Sequence, residues 1–161
     1  MDDPSPAASP PSPAGKPDLP PLSVRGRRTL PIVQGGMGVG ISAHRLAGSV
    51  AQAGAVGTVS SVDLRRHHPD LMANSRHGDK ATVDAANLVA LDRELHAAKA
   101  LAGGRGLIAV NVMRAVSEYP AYVRQACASG ADAIVVGAGL PLDLPELTAD
   151  WPDVALVPIL S

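Results

Sequence analysis

Phenylalanine is absent from this 161-residue chain, and one tryptophan and two tyrosines hold the aromatics to 2%. A core must then be built from Val, Leu, Ile and Ala, as in α/β proteins with buried parallel strands. A single cysteine, Cys127, excludes an intrachain disulfide and fits a reducing cytoplasm. Charge of one sign is also missing: the formal net charge is −1, which points to neither nucleic acid nor an anionic membrane as a partner. Locally, Arg25, Arg27 and Arg28 form only a small basic cluster. No apolar run reaches the roughly 18 residues that a membrane helix needs. No basic stretch followed by an apolar one opens the chain, so no signal peptide is read and a cytoplasmic location is expected.

What is present divides in two. Residues 1–21 hold more than half of the fifteen prolines, interspersed with Ser, Ala and Asp. Such a segment buries too little apolar surface to offset its ordering entropy, so a disordered tail is expected over about 1–24. It reads as a solvated extension, with a Pro-x-x-Pro interaction motif as the other reading. The remaining residues, 25–161, have the length of one domain.

The domain is organised around residues 30–42, a short apolar run leading into a glycine-rich turn and a helix start. Gly35, Gly36, Gly38 and Gly40 let the backbone approach something closely and adopt positive φ. Gln34 and Met37 are the long side chains there and are expected to project toward it. A loop of this kind after a strand binds a phosphate or a flat cofactor, or is a tight strand-to-helix turn with no ligand. The dinucleotide fingerprint fails: counted from Gly36 its last glycine falls on Ile41, and counted from Gly35 its second falls on Met37. No Gly-Lys-Ser/Thr of a P-loop occurs either.

Apolar runs and helical patterns then alternate. Strands are expected at 30–34, 55–60, 107–112, 133–136 and 154–159. Helices are expected at 43–53 with Ser42 as cap, at 83–101 with a Leu88, Leu91 and Leu95 stripe, at 120–129, and briefly at 145–149. Gly54, Gly103 and Gly130 mark helix ends. Residues 61–80 read as a long surface loop, with or without a short helix, that acts as a lid or subunit contact. Asp63, His67 and His68 lack the ligand spacing of a metal site, so no metal is expected. Cys127 sits within a helix and reads as a packed small hydrophobe. His44 and His96 read as surface residues of their helices. The alternation gives parallel strands with right-handed crossovers. Two architectures satisfy it: an open doubly wound sheet, or about the first five units of a parallel (β/α)8 barrel of the TIM type.

Three motifs in order carry a family resemblance. Residues 31–40, Pro-Ile-Val-Gln-Gly-Gly-Met-Gly-Val-Gly, resemble the first-strand motif of the nitronate monooxygenase (2-nitropropane dioxygenase) family. Asn111-Val112-Met113 resembles its strand-three Asn motif. Residues 130–141, Gly-Ala-Asp-Ala-Ile-Val-Val-Gly-Ala-Gly-Leu-Pro, resemble its strand-four segment. The resemblance spans about residues 22–161 and implies the N-terminal portion of an FMN-dependent barrel that oxidises alkyl nitronates with O2. It implies that the backbone of Gln34, Gly35, Gly36 and Met37 lines the isoalloxazine ring and that Asn111 hydrogen-bonds the ring's polar edge. Gly137 and Gly139 lie near the cofactor or form a plain turn. Without the resemblance, Asn111 reads equally as a strand-end residue capping the next loop.

The chain departs from the family in holding no Gly-Gly-His motif, which carries the catalytic histidine, and none of the late glycine loops that bind the phosphate. No catalytic residue is therefore assigned, and the isolated chain is expected to bind FMN weakly or not at all. A flavin-dependent enoyl-acyl-carrier-protein reductase and a non-catalytic partial barrel are the alternatives. In the latter, open sheet edges invite self-association.

Overall fold

In the computed structural model, residues 19–160 are described. Most of the expected tail lies outside them, but its last residues do not: Leu22–Val24 (β1) pairs antiparallel with Arg27–Thr29 (β2). The first described strand thus lies before the expected boundary at residue 24. Arg25 and Gly26 both have positive φ, at 48° and 76°. That is the two-residue turn whose twist matches the flanking strands.

The remaining elements alternate. Helix α1 (His44–Gln52) leads to β3 (Val56–Ser60), then come a 3-10 helix (Leu64–His67), α2 (Pro69–Ser75) and α3 (Lys80–Ala102). After these follow β4 (Leu107–Met113), α4 (Tyr119–Ala128), β5 (Ala133–Gly137), α5 (Leu144–Leu147) and β6 (Ala155–Pro158). Strands β3 to β6 form one parallel sheet in sequence order, with no reversal. The protein is therefore a mixed α/β fold with a four-stranded parallel sheet.

The expected first strand, 30–34, is reduced to a single parallel bridge between Val33 and Val56. Leu30 N–H reaches Gly54 O (2.8 Å) and Gln34 N–H reaches Val56 O (2.9 Å). Between them Ile32 N–H turns back onto Leu30 O (2.8 Å), which interrupts the ladder at Pro31. The expected loop at 61–80 is also mostly helical, packed down by the buried Leu64 and Leu71.

Side chains alternate across the sheet. Val59, Ile108, Val110, Val112, Ile134 and Val136 face the helices, in one cluster with Ala47, Ala51, Ala90, Leu91, Leu95, Val123 and Ala126. Burying each such valine, leucine or isoleucine contributes about 1.5–3 kcal/mol. The contact is close because it is built from small residues: a Cβ on Gly57 would overlap the Ala47 carbonyl, and one on Gly48 would meet Leu101. The opposite face is smaller, with Val56, Leu107, Ala109, Ala133 and Ala155, and the hairpin's Leu22 and Val24 pack on it.

The hairpin is held to this end of the sheet by Asp132. Its carboxylate accepts from Arg27 (2.6 Å) and from Ile108 N–H (2.7 Å), and Lys99 Nζ approaches it to 3.4 Å. Helix α3 starts where Asp79 accepts from Thr82 N–H (2.9 Å) and stops at Gly103, whose φ is +60°. Cys127 is buried as expected, and burial pushes its thiol up to about 11.

Candidate functional site

The glycine-rich loop runs from the bridge at Val33 to the start of α1 and lies over the carboxyl ends of β3 and β4. Its glycines are not equivalent. A Cβ on Gly36 would come within 2.5 Å of Asn111 Cβ, and one on Gly38 within 3.3 Å of Ser60 Oγ and 3.4 Å of Val62. At Gly40, φ is +77° and a Cβ would lie 2.6 Å from His67 Nε2. The close approach that these three glycines allow is thus to the protein's own side chains. Gly35 alone among the four faces open space, with nothing within 4 Å of its would-be Cβ.

Gln34 does not project outward. Its Oε1 accepts from Thr58 N–H (2.9 Å), and its Nε2 donates to Ser42 Oγ (2.9 Å) and to Gly35 O. The side chain ties the extended segment to β3, which leaves only backbone at this position for a ligand. Met37 is exposed as expected, at 44%. Ser42 was expected to cap α1, yet the N-cap is Ala43 and no side chain caps the helix from that position. The hydroxyl of Ser42 instead accepts from Met37 N–H (2.9 Å) inside the loop. Ser42 also joins the backbone on both sides: its N–H donates to Met37 O (3.0 Å) and its carbonyl accepts from Ser60 N–H (2.9 Å). The loop is therefore stapled closed at its base.

Asn111 lies half-buried near the carboxyl end of β4, on the sheet face away from the helices, with Gly36 against it. Its backbone carbonyl accepts from Ser61 N–H (3.1 Å). Gly137 is one strand over and two residues along, opposite Met113 in the register. The structure thus brings Gly36 and Asn111 into contact and sets Gly137 on the same face, as their strand positions require. Gly137 and Gly139 also meet protein atoms: a Cβ would lie 3.2 Å from Ile159 at the first and 3.2 Å from Arg114 at the second. The Arg114 guanidinium stacks 4.8 Å from the ring centroid of Tyr119. Burial, with Asp143 nearby, pushes that phenol up to about 12.

Ile32, Val33, Met37, Val39, Ile41, Leu140, Val157 and Ile159 are all exposed large apolar residues of the loop, the edge segments and the β5–α5 turn. Of these, Met37, Val39, Ile41, Leu140 and Ile159 belong to the glycine loop and to the segments that follow β5 and β6, near the Asn111 amide, whereas Val33 bridges Val56 at the amino end of β3 and Val157 lies within β6. The first group, with the amide, suits a flat, largely apolar ring with a polar edge.

The residues considered as metal ligands diverge. Asp63 pairs with Arg65 (3.0 Å) and Arg66, His67 sits on Gly40, and His68 turns to Glu94. Among the described residues no group of His, Cys, Asp or Glu is arranged to hold a metal ion. His96 is at the surface as expected, but His44 is not a simple surface residue: its Nδ1 lies 2.7 Å from Glu94 Oε2. Glu94 is the residue that sequence reasoning missed. Its signal was a glutamate at the helical spacing of Leu91, Leu95 and Ala98, on the face that becomes buried.

No protein-family model matches the chain, and no curated protein matches it. No helix among the described residues is long and apolar enough to cross a membrane.

Proposed function

We propose that this chain is the N-terminal part of an FMN-dependent oxidoreductase of the nitronate monooxygenase type, acting on alkyl nitronates with O2. The observation that carries the reading is the glycine loop laid over the carboxyl ends of β3 and β4 with Asn111 beneath Gly36. Carboxyl strand ends are where parallel α/β folds, barrels included, place their sites. The sheet's sequential order, with α1, α3 and α4 all packed on one face, suits the first units of a (β/α)8 barrel better than a doubly wound sheet, which carries helices on both faces.

The residues fit the ring end of the flavin. Gly35 faces open space and would supply backbone against the ring, Met37 would supply an apolar contact, and the half-buried Asn111 amide would supply a hydrogen bond to the ring's polar edge. When bound, the flavin supplies the electron transfer between nitronate and O2. The chain's own part is to hold the ring's position and to shield one side of it from water. Gly36, Gly38 and Gly40 belong to the loop's support rather than to the ligand. The buried, unpaired Cys127 suits a cytoplasmic protein.

The test is oxygen uptake on addition of propyl nitronate in a large excess of FMN. Slow uptake that depends on both the chain and nitronate is the expected outcome, since the chain holds the ring end alone and carries no Gly-Gly-His motif. Oxidation of NADH without nitronate would replace this reading with the enoyl reductase one.

A further inference from the structure

We propose that Glu94 is the positioning residue of this site, one carboxylate that holds both of its lips. The name "site" here rests on the flavin reading; the positioning does not. Glu94 lies in the middle of α3, and its side chain is 2% exposed. Its Oε2 accepts from the backbone N–H of His44 (2.7 Å), at the first residue of α1. The same oxygen lies 2.7 Å from His44 Nδ1. Its Oε1 faces His68 Nε2 at 3.1 Å, in contact but not aligned as a hydrogen bond.

The two partners follow two segments that meet where His67 packs on Gly40, the glycine loop and the 3-10 helix, which form the two lips. His44 directly follows the glycine loop, two residues after Ser42, which staples the loop's base to Met37 and Ser60. His68 closes the 3-10 helix, and its neighbour His67 packs on Gly40. Helix α1 has no side-chain cap from its own N-cap residue, so Glu94 does that work from another helix. A carboxylate at a helix N-terminus satisfies an otherwise orphan N–H and complements the helix dipole. A cap borrowed from α3 adds a second consequence: the loop cannot lift without breaking a bond to the helix that also holds the other lip.

Hydrogen exchange on the full chain tests this without any ligand. In Glu94→Ala, amides of residues 35–44 and 62–68 are expected to exchange at least about tenfold faster, the effect of losing one buried charge-assisted hydrogen bond. The β1–β2 hairpin and β5–β6 should be unchanged. His68→Ala should loosen 62–68 alone, and it serves as the decisive variant if Glu94→Ala does not fold. Glu94→Gln keeps an acceptor for His44 N–H and should restore protection to 35–44. Leu95→Ala, one residue along the same helix, should speed exchange throughout. A uniform change in Glu94→Ala, no change at 35–44, or a His68→Ala effect spread over both lips would overturn the proposal. Flavin affinity of the wild type is read separately. If the wild type binds none, the flavin reading fails while the exchange pattern still decides the role of Glu94.

Discussion

Gly35 and Gly36 are neighbours of the same type, and the structure predicts opposite responses to alanine. At Gly36 the new methyl would stand 2.5 Å from Asn111 Cβ, well inside van der Waals contact. Asn111 is on a strand paired on both sides, by β3 and by β5, so it cannot yield without disturbing the sheet. The loop must lift instead. Overpacking of this kind costs about 1–3 kcal/mol. For a domain of this size that lowers the melting temperature by about 2–4 °C per kcal/mol. At Gly35 the methyl meets nothing, and the backbone needs no positive φ. The alanine there should be neutral, or stabilising by about 0.4–1 kcal/mol through the unfolded state. The assay is a urea melt of both variants with the denaturant slope held in common. The flavin reading adds a second axis. Gly35→Ala should weaken flavin binding while leaving stability intact, because its methyl projects where the ring would lie. Gly36→Ala should lose both. Equal stability of the two variants, or a Gly35→Ala protein less stable than Gly36→Ala, would refute the assignment of which glycine serves the fold.

Other consequences follow from the same contacts. Asp132→Ala leaves Ile108 N–H without its acceptor and frees the hairpin's Arg27, so it should cost about 2–3 kcal/mol in a urea melt. That loss should change little with salt, because most of it comes from the partly buried N–H rather than the exposed ion pair. Native Cys127, with its thiol raised to about 11, should resist alkylation at pH 8, where about a thousandth of it is thiolate, and should react fully in denaturant. Asp79 is held below the usual carboxylate range by the Thr82 hydroxyl and N–H. Its folded pKa is lowered, so its contribution is present above the unfolded value and lost as pH falls through the folded one. The Tm gap between wild type and Asp79→Ala should therefore be open at pH 7 and close in acid. We also propose that the sheet's exposed edges support self-association, read as a concentration-dependent mass by light scattering. Val33→Lys should hold the chain monomeric, since an edge charge opposes strand pairing.

The helices and strands after residue 42 were largely legible because local signals agree with the fold. Apolar runs such as 107–112 and 133–136 are bounded by glycines that end the preceding helices, and α3 has an aspartate cap at one end and Gly103 at the other. The hairpin was missed because each strand is only three residues long and lies beside a proline-rich stretch. Its one signal was Gly26, two residues after the alternating Leu22-Ser23-Val24. The loop at 61–80 was misjudged because its helices are fixed by tertiary contact of Leu64 and Leu71 with α3, not by periodicity. At the site, strand-end placement of Asn111 and Gly137 could be read from spacing. The division of labour among four glycines could not, because it depends on which side chains of β3, β4 and the 3-10 helix lie beneath each one. The same holds for Gln34, whose amide is consumed by Thr58 on the facing strand β3 and by Ser42 at the base of the loop.

The most direct test of the flavin reading titrates the chain with riboflavin and FMN in parallel, following quenching of flavin fluorescence. On the proposed reading only the ring end would be held, so the account predicts weak but saturable binding, equal for the two flavins and lost in Asn111→Leu. No saturable quenching by either flavin, or binding unaffected by Asn111→Leu, would contradict it.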